Sequence, residues 1–481
     1  MNNSSFINFD LSEEILKARH MLEYEKPSQV QEKVIPLAIE DKDIIVKSQT
    51  GSGKTAAFAI PICEKIKIEK REPQALILTP TRELAIQIKE DVSNIGRLKR
   101  IRCAAVFGKQ PMDIQVRELK QRVHVVVGTP GRTLDHIEKG NVNFQDIKYL
   151  IIDEADKMLN MGFIEQVEAV INKLPKNRIT MLFSATISDE IESLCNKYMN
   201  SPNRIEINSQ NITNEKIEEV CYDAEVNKKF SLLNRIICTE LPESCIIFCN
   251  TKEEVDKVFQ KMVSRGYSCS KLHGGMEQKD RIDTMERFKK GEFQFLVATD
   301  VAARGIHIED ITHVINYDVP TEKESYVHRI GRTGRAGKIG KAITFVYPYE
   351  IKFLNIIEEY LEYRITKKEI PSEEEVEKGK RILKEKAKIK PKEKLDKSAS
   401  LNKQITKLYI NAGKKKKIRA GDIVGAITNI KGVSPEDIGI IDVQDGFSYV
   451  DILDGKEKIV LEALKDTTIK GKKVRVERAE K

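Results

Sequence analysis

Over the first 350 residues, short unbroken apolar runs alternate with longer stretches whose apolar positions recur every three or four residues. The runs at 43–46, 75–78, 123–127, 149–153 and 180–183 predict five strands, and those at 245–249, 295–298, 313–317 and 341–346 predict four more. Strands with one wet face alternate apolar and polar residues. These runs do not alternate, so they are expected to be parallel strands covered by helices on both faces. The fold class this implies is α/β, with two such domains in tandem joined somewhere near 209–218.

The pattern changes after that. Residues 363–402 form a charge-dense tract with Pro371 and Pro391, which predicts a helix running into a solvated linker. The last 79 residues differ again, with predicted strands at 407–411, 438–443, 448–452 and 472–477 and helices at 420–428 and 457–464. That β-α-β-β-α-β order is the pattern of a small α+β RNA-recognition (RRM-like) module. The expected domains are 1–208, 209–362, a charged helical linker at 363–402, and 403–481.

Composition sharpens this picture only in places. The chain has 481 residues, too many for one ordinary core. Its net charge is +8, and the segment from Lys403 onward holds 17 Lys plus Arg against 12 Asp plus Glu, so +5 of the excess sits there. A polyanionic partner for that segment is the natural reading. The eight cysteines form no Cys-x-x-Cys pair and sit mostly in apolar runs, which fits small core residues in a reducing compartment better than a metal site. The first residues carry no basic, apolar leader and no later run approaches membrane-spanning length, so a cytoplasmic location without a membrane partner is expected.

Three motifs carry chemistry. Ser48-Gln49-Thr50-Gly51-Ser52-Gly53-Lys54-Thr55 follows a predicted strand and opens a predicted helix. Its glycines let backbone N–H groups approach phosphate, Lys54 can reach the β- and γ-phosphates, and the Thr55 hydroxyl can ligate Mg²⁺. Asp153-Glu154-Ala155-Asp156 ends the run at 149–153, where Asp153 would face the metal through water and Glu154 can polarise the attacking water. Far downstream, His328-Arg329-Ile330-Gly331-Arg332-Thr333-Gly334-Arg335 can supply positive charge to a transferring phosphoryl group from a second domain. The competing reading for Arg329, Arg332 and Arg335 is a solvated basic turn.

On these residues the chain resembles the DEAD-box RNA helicases, whose two domains are RecA-like. The resemblance extends from residue 6 to about 350. The segment Lys26-Pro27-Ser28-Gln29-Val30-Gln31 is similar to the family's adenine-reading motif, which implies that Phe6 stacks on the base, Gln31 reads its edge and ATP is the nucleotide. Pro80-Thr81-Arg82-Glu83-Leu84-Ala85, Gly108 and Thr129-Pro130-Gly131-Arg132 resemble its RNA-backbone motifs, and Ser184-Ala185-Thr186 its coupling motif. In the second domain, resemblance implies RNA contacts for Arg281 and Thr299 and a γ-phosphate role for Arg332 and Arg335. Two positions depart from the pattern. Lys109 stands where a second glycine is usual, and His307 stands where the family places an Asp against the ribose of ATP. An imidazole can accept a hydrogen bond but supplies no fixed negative charge.

The tail narrows the match. Tyr409, the basic turn Lys414-Lys415-Lys416-Lys417 with Arg419, and Gly446-Phe447-Ser448-Tyr449 resemble the C-terminal domain of the bacterial DbpA subfamily. That resemblance implies recognition of a large-subunit ribosomal RNA hairpin and work on a pre-ribosomal particle, by a monomer. From the residues themselves, Tyr409, Phe447 and Tyr449 can stack bases and the turn can neutralise phosphates; some of these aromatics could instead be core, and the domain could bind protein. Two other functions fit the same motifs: an ATP-gated clamp that remodels ribonucleoprotein without unwinding, and a DNA helicase.

Overall fold

The computed structural model describes residues 5–48, 51–207, 217–225, 227–300, 311–334, 339–386, 405–466 and 468–479. In the first domain the strands are β1 (Ile44–Lys47), β2 (Ala75–Leu78), β3 (Cys103–Val106), β4 (Val125–Gly128), β5 (Tyr149–Asp153), β6 (Ile179–Ser184) and β7 (Asn203–Glu206). They form one parallel sheet of order β3-β4-β2-β5-β6-β1-β7. Successive residues feed opposite layers: Val46 and Ile77 pack into one core, Ile45 and Leu78 into the other. This is why the runs are continuous rather than alternating.

Two strands, β3 and β7, lie outside the predicted runs. Cys-Ala-Ala-Val is built largely from small side chains of low strand preference. Asn-Arg-Ile-Glu is an edge strand paired only to β1, with Ile205 as its one buried residue, so it has the polar composition of an edge.

The second domain repeats the plan with β8 (Ile217–Asp223), β9 (Cys245–Phe248), β10 (Cys269–Leu272), β11 (Phe295–Ala298), β12 (His313–Asn316), β13 (Gly340–Val346) and β14 (Thr366–Lys367). Their order is β10-β11-β9-β12-β13-β8-β14. Strand β8 begins within the stretch expected as the join, and β14 within the stretch expected as linker. The helix Glu373–Lys386 is not a free helix either. It lies on the helix Lys229–Glu240, with Arg235 bonded to Glu373 and, at 2.8 Å, to the carbonyl of Pro371, and with Val376 buried. The second domain therefore continues to Lys386, because one narrow apolar stripe and a glycine suffice to seat an otherwise charged helix.

The C-terminal module contains β15 (Thr406–Ile410), β16 (Ile438–Val443), β17 (Ser448–Ile452), β18 (Thr468–Ile469), β19 (Lys472–Lys473) and β20 (Val476–Arg478). Its antiparallel sheet has the order β16-β17-β15-β20, and Leu408, Ile410 and Val450 on one face pack with Ile423, Ile427, Val460 and Leu464 of its two helices. The predicted final strand is split. β19 pairs with β18 as a small hairpin whose turn, Lys470 and Gly471, is left-handed at both residues (φ 53° and 71°), and only β20 joins the sheet. Among the described residues no helix is long and apolar enough to cross a membrane.

Gly379 marks the seat of the helix Glu373–Lys386, since a Cβ there would lie 1.9 Å from the carbonyl oxygen of Cys238. Gly379→Val is expected to destabilise the second domain by about 1–3 kcal/mol through overpacking. Thermal unfolding reads this directly, and an unchanged Tm would show that the helix adds nothing to the domain.

Candidate nucleotide site and RNA-facing residues

In a parallel sheet every strand hands its chain to a loop at the same edge, and in the first domain that edge divides into two halves. Strands β5, β6 and β1, which are neighbours, end at Asp153, Ser184 and, one residue past β1, Ser48. Strands β3, β4 and β2, also neighbours, lead within four residues to Gly108, Thr129 and Arg82. Residues expected to handle nucleotide thus occupy one half and residues expected to meet RNA backbone the other.

On the nucleotide half, the buried Lys54 opens the helix Lys54–Lys65 and turns its ammonium onto the carbonyl of Ser48 at 3.3 Å. Ser52 Oγ lies 3.4 Å from Ser48 Oγ. Thr55, half-buried, follows Lys54 on the first turn. Gly53 sits at φ +91°, and a Cβ on it would lie 2.7 Å from Gln31 Nε2. The absence of that Cβ lets Gln31 Nε2 donate to the carbonyl of Gly53 at 3.2 Å while Ser28 Oγ donates to the carbonyl of Ser52 at 2.8 Å. Gln31 Oε1 accepts the N–H of Ser28 at 2.9 Å, completing a capping box at the helix Gln29–Ile39. Gln31 therefore braces the phosphate loop. Lys26, just upstream, is exposed.

Phe6 departs from its expected role. Its side chain is fully buried in the turn Phe6–Phe9, with Phe9 edge-on at 5.8 Å and the Arg19 guanidinium 5.2 Å from its ring centre. Stacking on a base would require this ring to be uncovered from Phe9 and Arg19. Gln49, Thr50, His307 and Arg335 lie outside the described residues.

Asp153 is 3% exposed, and its Oδ1 accepts the N–H of Glu154 at 3.0 Å. Burial pushes its pKa up to about 6, against the pull of Lys54 and with the push of Glu154. A carboxylate and a threonine hydroxyl are both hard oxygen donors, the kind that suits a divalent cation such as Mg²⁺. Glu154 takes a left-handed conformation (φ 55°) at the start of the helix Ala155–Asn160, and its Oε1 accepts a hydrogen bond from Lys157 Nζ at 2.5 Å, both side chains being buried. Sequence reasoning missed Lys157, although its spacing three residues after Glu154 was the available signal. Asp156 donates its N–H to Ser184 Oγ at 3.1 Å, and that hydroxyl donates to the carbonyl of Thr186 at 2.6 Å. The acidic turn and the Ser-Ala-Thr turn are thus directly tied.

On the other half, Arg82 begins a helix capped by Thr81, and a Cβ on Gly108 would lie 3.5 Å from its guanidinium. Lys109, beside Gly108, is exposed and adopts the left-handed conformation (φ 60°) that a glycine would take freely. Thr129 precedes the helix Pro130–Glu138, where Gly131 approaches Gln166. Arg132 donates to the carbonyl of Gln110 at 2.9 Å and pairs with Asp135 at 3.4 Å.

In the second domain Arg329 is the knot. It is 1% exposed, grips both oxygens of Asp300 at 2.6 Å, and donates to the carbonyl of Asp318 at 2.7 Å and to Asn250 Oδ1 at 2.8 Å. This arginine is neither a solvated turn residue nor one free to meet a phosphate. Arg332 is also buried, with Nε 3.2 Å from the carbonyl of His328. Thr299 follows β11 and is buried, whereas Arg281 is half-buried on the helix Gln278–Lys289.

In the module, the central strands pair Tyr409 directly with Tyr449. With Phe447 they form a half-exposed triad whose ring centres are 5.3–5.8 Å apart, on the face away from the helices. Of the basic turn, Lys414, Lys415, Lys417 and Arg419 are exposed and Lys416 is half-buried.

A phosphate loop and an acidic turn at the same edge of one parallel sheet, on strands separated by one other, a second domain of the same plan with an arginine-rich helix end, and an appended aromatic and basic module define an NTP-driven nucleic-acid enzyme. The chain belongs to the DEAD-box ATP-dependent RNA helicases. Residues 28–194 match the DEAD/DEAH box helicase family, 228–337 the helicase conserved C-terminal domain, and 407–478 the DbpA RNA binding domain. The chain is 57% identical to the ATP-dependent RNA helicase DbpA of Bacillus subtilis over 99% of its own length and 100% of that protein's. It is 43% identical to the DEAD-box ATP-dependent RNA helicase CshA of Geobacillus kaustophilus, over 78% of this chain and 80% of that one. Among solved structures, S. cerevisiae Dbp5 bound to RNA and ADP BeF3 superposes with a TM-score of 0.71 at 33% identity, covering 79% of this chain and all of that one. The enzyme is an RNA-stimulated ATPase that binds ATP and RNA.

The raised pKa of Asp153 has a consequence for stability. A carboxylate whose folded pKa lies above its unfolded value, ~4, favours the fold only when protonated. The handicap of ionising it grows as pH rises from the unfolded value through about 6 and is constant above. Asp153→Asn should therefore raise the Tm of the ligand-free protein at pH 7.5, with the gain shrinking toward pH 4.5. Equal gains at both pH values would show that Asp153 is not the titrating group.

Proposed function

We propose that this helicase separates or remodels structured RNA of the large ribosomal subunit during ribosome assembly, delivered there by its C-terminal module. The observation that carries this reading is the module itself, whose aromatic triad and basic turn stand beside each other and whose sequence matches the DbpA RNA binding domain. In this reading the protein acts as a cytoplasmic monomer on a pre-ribosomal particle.

The chemistry assigned to the site follows from its residues. Thr55 and Asp153 would hold Mg²⁺, which when bound supplies charge neutralisation at the phosphates. Lys54 leaves the carbonyl of Ser48 for the β- and γ-phosphates. Glu154 leaves Lys157 and orients the attacking water, accepting its proton. Gln31 would read the base edge, and His307 occupies in the sequence the position where the family's Asp meets the ribose. Arg332 and Arg335 place positive charge on the transferring group, a contribution worth about 10³- to 10⁵-fold in rate. The RNA backbone is held by Arg82, Gly108, Thr129, Gly131 and Arg132 of one domain and by Arg281 and Thr299 of the other.

Two measurements test these assignments. Glu154→Gln keeps the shape of the side chain and removes the base, so RNA-stimulated ATPase should fall by roughly 10²- to 10⁴-fold with ATP binding retained; wild-type turnover would exclude Glu154 from the role. A chain ended at residue 402 should keep ATPase activity with generic RNA and lose any preference for a large-subunit ribosomal hairpin. Retained preference would place target recognition outside the module.

A further inference from the structure

The RNA half of the first domain's sheet edge is fastened to one buried amide. Gln115 lies on the helix Met112–Leu119 with no exposed surface. Its Nε2 donates to the carbonyl of Phe107 and to Gln110 Oε1, both at 2.8 Å, so it holds the loop that carries Gly108 and Lys109 at either end. Its Oε1 accepts from His136 Nε2 at 2.9 Å and from Arg132 Nη1 at 3.3 Å. Arg132 and His136 stand four residues apart, on one face of the helix Pro130–Glu138. A side-chain amide has two N–H donors and two acceptor positions, and here all four are used.

The partners dictate how the amide and the ring sit. A guanidinium only donates and the carbonyl of Phe107 only accepts, so the amide oxygen must face Arg132 and its nitrogen must face the loop. His136, 1% exposed, must then carry its proton on Nε2, and its Nδ1 accepts from Asn141 Nδ2 at 3.3 Å. Burial, with Arg132 beside it, pushes the pKa of His136 down to about 4, so the ring is neutral at neutral pH and this pattern is kept. Arg132 is held at a second point, since Nη1 also donates to the carbonyl of Gln110 at 2.9 Å.

Core packing does not call for such a group. A leucine fills a similar space with no hydrogen bond to satisfy, whereas a buried amide costs stability unless each of its groups is paired. What the amide adds is direction. The loop 107–110 leaves β3 and Arg132 follows β4, so two RNA-facing groups arrive on separate elements and are set at a fixed spacing by a satisfied polar network. A ligand that meets both at once binds best when that spacing is already in place.

Resting on the reading that Gly108 and Arg132 meet the RNA backbone, we propose that Gln115 and His136 are positioning residues for RNA. Through the buried amide they hold the loop 107–110 and the Arg132 guanidinium in register with one sugar-phosphate backbone, without touching it themselves.

The test measures binding of the full chain to a fluorescent oligouridylate in the presence of ADP and beryllium fluoride, and to a fluorescent ADP without RNA. Gln115→Leu and His136→Leu should each raise the Kd for RNA by roughly tenfold, the size of one misplaced hydrogen bond to a charged group, and leave the Kd for ADP within about twofold of wild type. His136→Gln, whose amide keeps a donor toward Gln115, should stay close to wild type. In Gln115→Leu/Arg132→Ala the two effects on RNA should combine to less than their product, because part of the first passes through the second. His124→Leu is the control: that buried ring bonds the N–H of Arg102 at 3.0 Å just before β4, at the other edge of the sheet, so its loss should lower the Tm without changing the Kd for RNA. The proposal is overturned by an unchanged Kd for RNA in His136→Leu, by equal losses for RNA and ADP, by His136→Gln binding as weakly as His136→Leu, or by fully multiplicative effects in the double variant. Should Gln115→Leu not fold, the two His136 variants decide. Arg132→Ala separates this from the underlying reading: if it weakens RNA binding and the Gln115 and His136 variants do not, only the positioning role is wrong, and if it leaves RNA binding unchanged, the contact assigned to Arg132 falls as well.

Discussion

A parallel strand cannot return to its neighbour by a tight turn, so each crossover needs a helix, and every strand releases its chain at the same edge of the sheet. The site geometry of this helicase depends on that constraint. Because β1 lies beside β6 rather than beside β2, the phosphate loop, Asp153 and Ser184 come out on adjoining strands, and the residues of the RNA-type motifs come out together on the other half. No side-chain contact is required to gather them. Side-chain contacts then lock the gathered turns, as Ser184 does for Asp156 and as Ser28 and Gln31 do for the loop at Ser52 and Gly53.

The buried charges of the candidate site are satisfied within the fold. Lys54 rests on a carbonyl of its own loop and Glu154 rests on Lys157, each a buried charged group satisfied by what lies nearest. Asp153 has weaker compensation, and burial accordingly favours its neutral form.

The arginine string of the second domain shows how one motif divides its labour. Arg329 is committed to Asp300, Asn250 and the backbone at Asp318, so it joins the ends of β9, β11 and β12 rather than facing any ligand. Removing one member of so buried a set would leave unpaired charge in a low-dielectric setting, which costs far more than an exposed pair. The same string in sequence reads as three equivalent cations.

By itself the sequence determined the α/β class, nine of the sheet strands, the phosphate loop and acidic turn, and the RNA-recognition order of the tail. Each of these is written in local features: apolar runs of strand length, glycines at fixed spacing, and turn residues between helices and strands. Tertiary structure alone decided the rest. Strands β3, β7, β10 and β14 exist because neighbouring strands offer them hydrogen bonds, although their own composition is small-residue or polar, and β8 interrupts its apolar residues with Glu218 and Glu219. Burial turned Phe6 and Arg329 from expected ligand contacts or solvated residues into core, and a glycine against Cys238 turned a charged helix into part of a domain. The hairpin lysines met the basic turn only through chain folding, since residues more than fifty apart share no local signal. Periodicity and spacing report what a segment can bury or bind; which partner arrives across the fold is fixed by packing, and packing is not local.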